Sequence, residues 1–242
     1  MDGTTALVIG VGPARGLGAA LCRRFAAEGL HVVVAGRSAD KVEAVAAEIR
    51  AAGGRATAIV ADATDEASVA RLVREAEAIG PLSAAIYNAG NNMPGDFLSM
   101  ETAYFEACWR IGCLGGFLFA RETLKAMAPR GHGSLIFTGA SASMRGRPNF
   151  AAFTAAKAGL RALSQSLARE FGPRGIHVAH VVIDGGISGD KIHERAPDFA
   201  ARMGDDGLIG LEGLADLYAF VHAQPRNAWT QEIDVRTHKE TF

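Results

Sequence analysis

The chain has 242 residues, 49% hydrophobic and 21% charged, with a formal net charge of −1. These values exclude intrinsic disorder and give no electrostatic reason to expect a nucleic acid or an anionic membrane as partner. The length suits one α/β domain over residues 1–242 with a continuous core. Three cysteines, Cys22, Cys108 and Cys113, are too few for a disulfide framework and too scattered for a metal site. Met1–Thr5 carries no charged leader region, and Arg or Gly breaks every apolar stretch short of about twenty residues. No secretory signal or membrane span is therefore expected, and the cytoplasm is the default location.

In chain order, Ala6–Gly10 reads as a first buried strand, followed by a helix over Leu17–Glu28. His31–Ala35 and Ala56–Val60 read as strands two and three, with helical periodicity at Asp40–Ala52 between them. Glu66–Ala78 is helical, Leu82–Tyr87 is strand four, and Thr102–Ala128 is a long helix. Ser134–Thr138, the helix Ala151–Phe171, the strand His177–Ile183 and a last strand at Glu232–Val235 complete the series. This alternation predicts a doubly wound, Rossmann-type α/β fold: a mostly parallel seven-stranded sheet with helices on both faces. Residues 185–210 are the least regular part, either a substrate lid or a plain surface excursion.

Between the first strand and its helix lies Gly10-Val-Gly12-Pro-Ala-Arg15-Gly16-Leu17-Gly18. Residues without Cβ let a strand-to-helix turn approach a pyrophosphate, which the N–H groups and dipole of the helix then hold. Glycines here also serve purely structural turns. After the second strand come Gly36-Arg37-Ser38, with no carboxylate until Asp40. An acidic residue at this point holds a ribose 2′-hydroxyl, whereas Arg accommodates a 2′-phosphate. Arg15 can meet that phosphate from the other side, so the pair points to NADP(H), although either Arg alone reads as a solvated charge.

The G-x-x-x-G-x-G spacing from Gly12 resembles that of the short-chain dehydrogenase/reductase family, and further motifs follow in the family's order. Asp62 and Ala63 follow the third strand, Asn88-Ala89-Gly90 ends the fourth, and Lys157 stands at the Lys of the family's Y-x-x-x-K motif. The resemblance, which runs from Ala6 to about Val235, implies that Asp62 meets the adenine amino group. It implies that Asn88, Ala89 and Gly90 support the sheet and line the adenosine site, and that Lys157 binds the nicotinamide ribose. It also implies a homodimer or homotetramer built on the Ala- and Gly-rich long helices; packing within one subunit explains the same residues.

The active site departs from the family. Phe153 stands at the catalytic Tyr, Ala140 at the Ser, and Gly112 (or Cys113, one residue on) at the Asn. The variant with a Tyr further from the Lys is absent too, because that position is Phe150. Phenylalanine has no ionisable group and cannot serve as a general acid. Substitute candidates are Ser141, His132, Asn91, Asn92 and Tyr104, while Tyr87 and Tyr218 read as packing residues. Asp184 falls where the nicotinamide should lie, either as a new acid/base group with a pKa raised by burial or as a turn residue. Without a gap, Ser188 matches the family's cofactor-binding Thr; with a one-residue insertion, Gly189 does.

Three functions follow. The first is an NADP(H)-dependent oxidoreductase whose substrate needs no strong proton donor, such as an imine or a polarised alkene. The second is a non-catalytic NADP(H)-binding sensor, or an inactive subunit beside an active paralogue. The third is a non-redox dehydratase or isomerase on the same scaffold. Lys157, Asp184 and Ser141 are the candidate catalytic residues, with a small molecule as partner.

Overall fold

In the computed structural model, which describes residues 3–90, 92 and 94–241, seven short apolar runs pair as a single parallel sheet. They are β1 (Thr5–Ile9), β2 (His31–Gly36), β3 (Arg55–Val60), β4 (Leu82–Tyr87), β5 (Ser134–Thr138), β6 (His177–Ile183) and β7 (Glu232–Val235). Their order is β3-β2-β1-β4-β5-β6-β7. The direction of winding therefore reverses between β1 and β4, the switch point where doubly wound sheets bind ligands. Helices cover both faces, so the central strands are buried throughout and read as continuous apolar runs.

On one face, α1 (Leu17–Ala27), α2 (Ala39–Ala51) and α9 (Leu211–Ala223) pack through Leu21, Phe25, Val45 and Leu214 onto Val8, Val34 and Ile86. On the other, α3 (Glu66–Ile79), α5 (Gly115–Met127) and α6 (Ala151–Phe171) pack through Leu72, Phe119 and Leu160 onto Leu7, Tyr87 and Phe137. Gly10, expected inside β1, lies just beyond it. Its φ of +95° turns the chain out of the strand, and a Cβ there would lie 2.4 Å from the Ala89 nitrogen.

The helix expected over Thr102–Ala128 is interrupted. Helix α4 (Thr102–Trp109) passes into a π-turn at Arg110–Leu114 before α5 begins, and Ala128–Arg130 closes it as a 3₁₀ turn. The Tyr87 hydroxyl causes or exploits the break by donating to the Ile111 carbonyl at 2.6 Å. The irregular segment is better ordered than its composition suggests. It holds α7 (Asp190–Arg195) and α8 (Pro197–Met203), the latter opened by a proline where its missing N–H costs nothing.

One buried polar link ties the late strands to α6. The His180 ring in β6, fully buried, donates from Nδ1 to Glu232 of β7 at 3.0 Å, and Arg161 of α6 clasps that carboxylate at 2.6 and 2.7 Å. Burial lowers the His180 pKa from 6.5 to about 4, and the bond from Arg161 lowers that of Glu232. Because the folded value lies below the unfolded one, this stability is complete above pH 6.5 and drains away as the pH falls towards 4. By pH 5 the loss from His180 alone is about 2 kcal/mol, so Tm should drop by roughly 4–8 °C between pH 7.5 and pH 5. A His180→Gln variant should lose part of that slope, the remainder coming from His222, whose pKa burial also lowers to about 4. A Tm flat across this range would contradict the assignment.

Among the described residues, no helix is long and apolar enough to cross a membrane, and no three His, Cys, Asp or Glu side chains cluster as metal ligands. Cys22 and Cys108 are buried, Cys113 is half-buried, and none is disulfide-bonded.

Candidate functional site

The loops at the carboxyl ends of the strands converge on one cleft. At its switch point the glycine-rich turn leads into α1, whose N-cap, Gly16, is extended and offers no side-chain cap. A Cβ on Gly12 would meet nothing within 4 Å, so open space lies before the turn. A Cβ on Gly18 would instead stand 2.9 Å from the Val11 Cα and 3.1 Å from Asn88 Nδ2, so α1 enters flush against β1 and β4. An uncapped helix N-terminus of 11 residues facing open space fits a pyrophosphate. Leu17 is buried and anchors the first turn to the core.

Asn88 stitches the sheet. Its Nδ2 donates to the Gly10 carbonyl at 3.1 Å and its Oδ1 accepts from Thr138 Oγ1 at 3.1 Å, joining β1, β4 and β5. The backbone of Ala89 packs against Gly10. Asp62 accepts at Oδ1 from the Thr64 N–H and hydroxyl, both at 2.8 Å, which lowers its pKa, and Arg37 acts in the same direction. Ala63 is buried beneath α5, where its carbonyl lies 2.7 Å from the position of a Gly115 Cβ. Arg37 is exposed beyond β2. Arg15 faces Asp190, its backbone N–H and Nε lying 3.3 and 3.9 Å from that carboxylate.

At the other end of the cleft, Lys157 is 4% exposed and donates from Nζ to the Thr138 carbonyl at 2.7 Å. Gly90 lies alongside it, a Cβ there standing in ordinary contact at 3.5 Å from Nζ. Burial, with Lys191 acting in the same direction, lowers the Lys157 pKa to about 8. The Phe153 ring lies one helical turn before it, with Nζ 5.8 Å from the ring centroid. Ala140 follows β5, and no hydroxyl stands at either position. Gly112 explains itself: in the π-turn, a Cβ would lie 2.6 Å from that of Ala156, so no Asn fits without displacing α6. Gly116 against Leu160 and Gly159 against Cys113 keep the same helices in close contact within the chain.

Asp184 is not the raised-pKa acid that its burial suggested. One Arg145 nitrogen donates to both its oxygens at 2.9 and 3.0 Å, Arg236 adds a contact at 3.5 Å, and Ser141 hydrogen-bonds it. These three partners outweigh a fully buried position and hold the carboxyl below its ordinary pKa. It is an ionised tether rather than a proton donor. Ser141 lies beside the same carboxylate and acts with Arg145 to hold it ionised.

Other candidates do not converge. His132 precedes β5, at the opposite end of the sheet from the cleft. The Ser188 hydroxyl faces His193 at 3.4 Å, while Gly189 lies against the Arg15 carbonyl, 2.6 Å from where a Cβ would stand. Tyr218 is buried with its hydroxyl 2.8 Å from Thr138 Oγ1, and Tyr87 is buried beneath the π-turn. Tyr104 sits on the first turn of α4 and hydrogen-bonds Cys108. Phe150 caps α6, Asn92 is exposed, and Asn91 lies outside the described residues. Sequence reasoning missed Arg145, Arg236 and Glu240, the last paired with Arg147 at 3.5 Å. Isolated charges beyond a strand end carry no motif, and only the fold brings them together.

A parallel sheet reversing at β1/β4, an uncapped glycine turn and a buried lysine beside the strand ends define a dinucleotide-binding α/β protein. Residues 4–196 match the family model of the short chain dehydrogenases, and the chain belongs to the short-chain dehydrogenase/reductase family. It is 34% identical over 180 residues to galactitol 2-dehydrogenase (L-tagatose-forming) of Cereibacter sphaeroides, covering 74% of this chain and 69% of that protein. A short-chain dehydrogenase structure from Rhodopseudomonas palustris superposes with a TM-score of 0.83 at 37% identity, over 97% of this chain and 99% of that one. A metagenomic short-chain oxidoreductase in complex with NADP superposes at 0.81 with 27% identity, over 98% of both chains.

Proposed function

We infer that this protein is an NADP(H)-dependent reductase of polarised alkenes, acting without the family's tyrosine and serine. The carrying observation is Lys157: a buried ammonium bonded to the Thr138 carbonyl and lying against the Phe153 ring. The preference for the 2′-phosphate rests on Arg37, with no carboxylate before Asp40, and is in keeping with the NADP complex of the structural relative.

Bound NADPH supplies a hydride. Addition of that hydride to the β-carbon of a conjugated alkene breaks its π bond and leaves negative charge on the conjugated oxygen. Lys157 stabilises that charge, and its lowered pKa lets it pass a proton to the oxygen; the resulting enol takes a solvent proton at the α-carbon as its O–H proton returns to Lys157. No carboxylate contributes to the Lys157 shift, so its field favours a developing anion over an iminium cation. Carbonyl reduction needs a donor at the alkoxide itself, which Phe153 and Ala140 do not provide.

The test is NADPH oxidation over a panel of enones, nitroalkenes, imines and ketones. Turnover of the first two classes is expected, and Lys157→Met should reduce it by about 10²–10⁴. Tight NADPH binding without turnover of any class would instead favour a non-catalytic cofactor-binding protein. That second reading is motivated by Asp184 and Ser141, both locked to each other rather than aimed at a substrate.

A further inference from the structure

The segment after β6 is held at two edges. Its base is pinned by the Ser188 N–H on the Ile209 carbonyl at 2.9 Å and the Ile209 N–H on the Gly186 carbonyl at 2.8 Å. Ile192, Phe199 and Leu208 close over Gly186, giving α7 and α8 a small apolar core. The other edge touches the glycine-rich turn itself. There the Asp190 N–H donates to the Arg15 carbonyl at 2.8 Å, and the Asp190 carboxylate accepts from the Arg15 N–H at 3.3 Å. Its other oxygen is 3.9 Å from Arg15 Nε. Only a glycine at 189 allows this approach.

A carboxylate thus occupies a backbone N–H and a guanidinium in the turn whose purpose is to receive an anion. We propose that Asp190 is a latch that ties the 188–204 segment to the glycine-rich turn and lowers affinity for NADP(H) until the nucleotide displaces it. The proposal rests on the NADP(H) reading above. The physical basis is competition between like charges: a phosphate and the Asp190 carboxylate cannot share the Arg15 donors, and in proximity they repel. Binding therefore breaks the latch, frees Arg15 for the nucleotide and releases the start of α7. Conversely, whatever opens the segment strengthens nucleotide binding by the same factor. Lys191, the next residue, lies within electrostatic reach of Arg37 and Lys157, so its charge is presented to the cleft and moves with the segment. The Arg15–Asp190 pair is largely solvated, with side-chain exposures of 72% and 30%, which limits the effect to a modest factor.

The test compares full-length wild type with Asp190→Ala and Asp190→Asn by NADPH and NADH calorimetry, and by amide hydrogen exchange of the nucleotide-free proteins. Asp190→Ala should tighten NADPH binding by roughly 5- to 10-fold and speed exchange over 188–204, with Asp190→Asn in between. In wild type, NADPH should speed exchange at the start of α7. Unchanged exchange in nucleotide-free Asp190→Ala would overturn the latch, as would weaker or unchanged NADPH binding in a variant whose segment has loosened. Wild type that binds neither nucleotide would remove the cofactor reading itself, and the latch with it.

Discussion

Replacing Phe153 by Tyr is expected to create ketone reduction where the wild-type protein has almost none. The backbone and partner needed for a catalytic tyrosine are already in place: residue 153 is half-buried on the first turn of α6, one helical turn before the Lys157 ammonium. A phenol there would have its pKa lowered by that charge and could donate to a developing alkoxide. A positioned acid contributes about 10²–10⁴ in rate, so kcat/KM with NADPH should rise by at least about 10² for Phe153→Tyr. Ala140→Ser in the same background should raise it further by supplying a carbonyl-polarising donor at that position. Steady-state kinetics over simple ketones is the check. If the double variant binds NADPH and still reduces no ketone, the nicotinamide does not lie over residue 153, and the proposed orientation is wrong.

Gly12→Val is expected to abolish nucleotide binding while leaving the fold intact. Most glycines near the cleft cannot be tested this way. At Gly36 a Cβ would come within 2.3 Å of the Val11 carbonyl, and at Gly10 the φ is positive as well, so substitution there confounds folding with binding. Gly12 has neither problem, with no atom within 4 Å of an added Cβ. That space is where a pyrophosphate would approach the turn, and a branched side chain fills it. Calorimetry should show NADPH affinity falling by about 10² or more, with Tm within a few degrees of wild type. Undiminished binding would place the nucleotide elsewhere on the protein.

Much of this architecture is legible along the chain. Strands β4, β5, β6 and β7 and helix α6 have the bounds expected; β4, β5 and β6 are buried on both faces, and a parallel strand so placed is largely apolar along its length. The long helix was misjudged at its middle. Nothing local marks the π-turn at Arg110–Leu114, where the Tyr87 hydroxyl reaches across from β4 to the Ile111 carbonyl. The glycine turn could be located from its place after the first strand, and Lys157 through the spacing of the family motif that its segment resembles. The same spacing exposed Phe153, Ala140 and Gly112 as departures.

What the sequence determined by itself is the set of groups available at the strand ends, and above all the missing hydroxyls, because backbone period and motif spacing are properties of neighbouring residues. The tertiary structure alone decided what those groups can do. It set the ionisation of Asp184, surrounded by Ser141 and Arg145 from the segment after β5 and by Arg236 from beyond β7. It also excluded a side chain at Gly112 through Ala156, placed His132 at the far end of the sheet and turned Arg15 towards Asp190. Charge state and hydrogen-bond commitment depend on distances of a few ångströms between residues far apart in the chain, and only folding determines those distances.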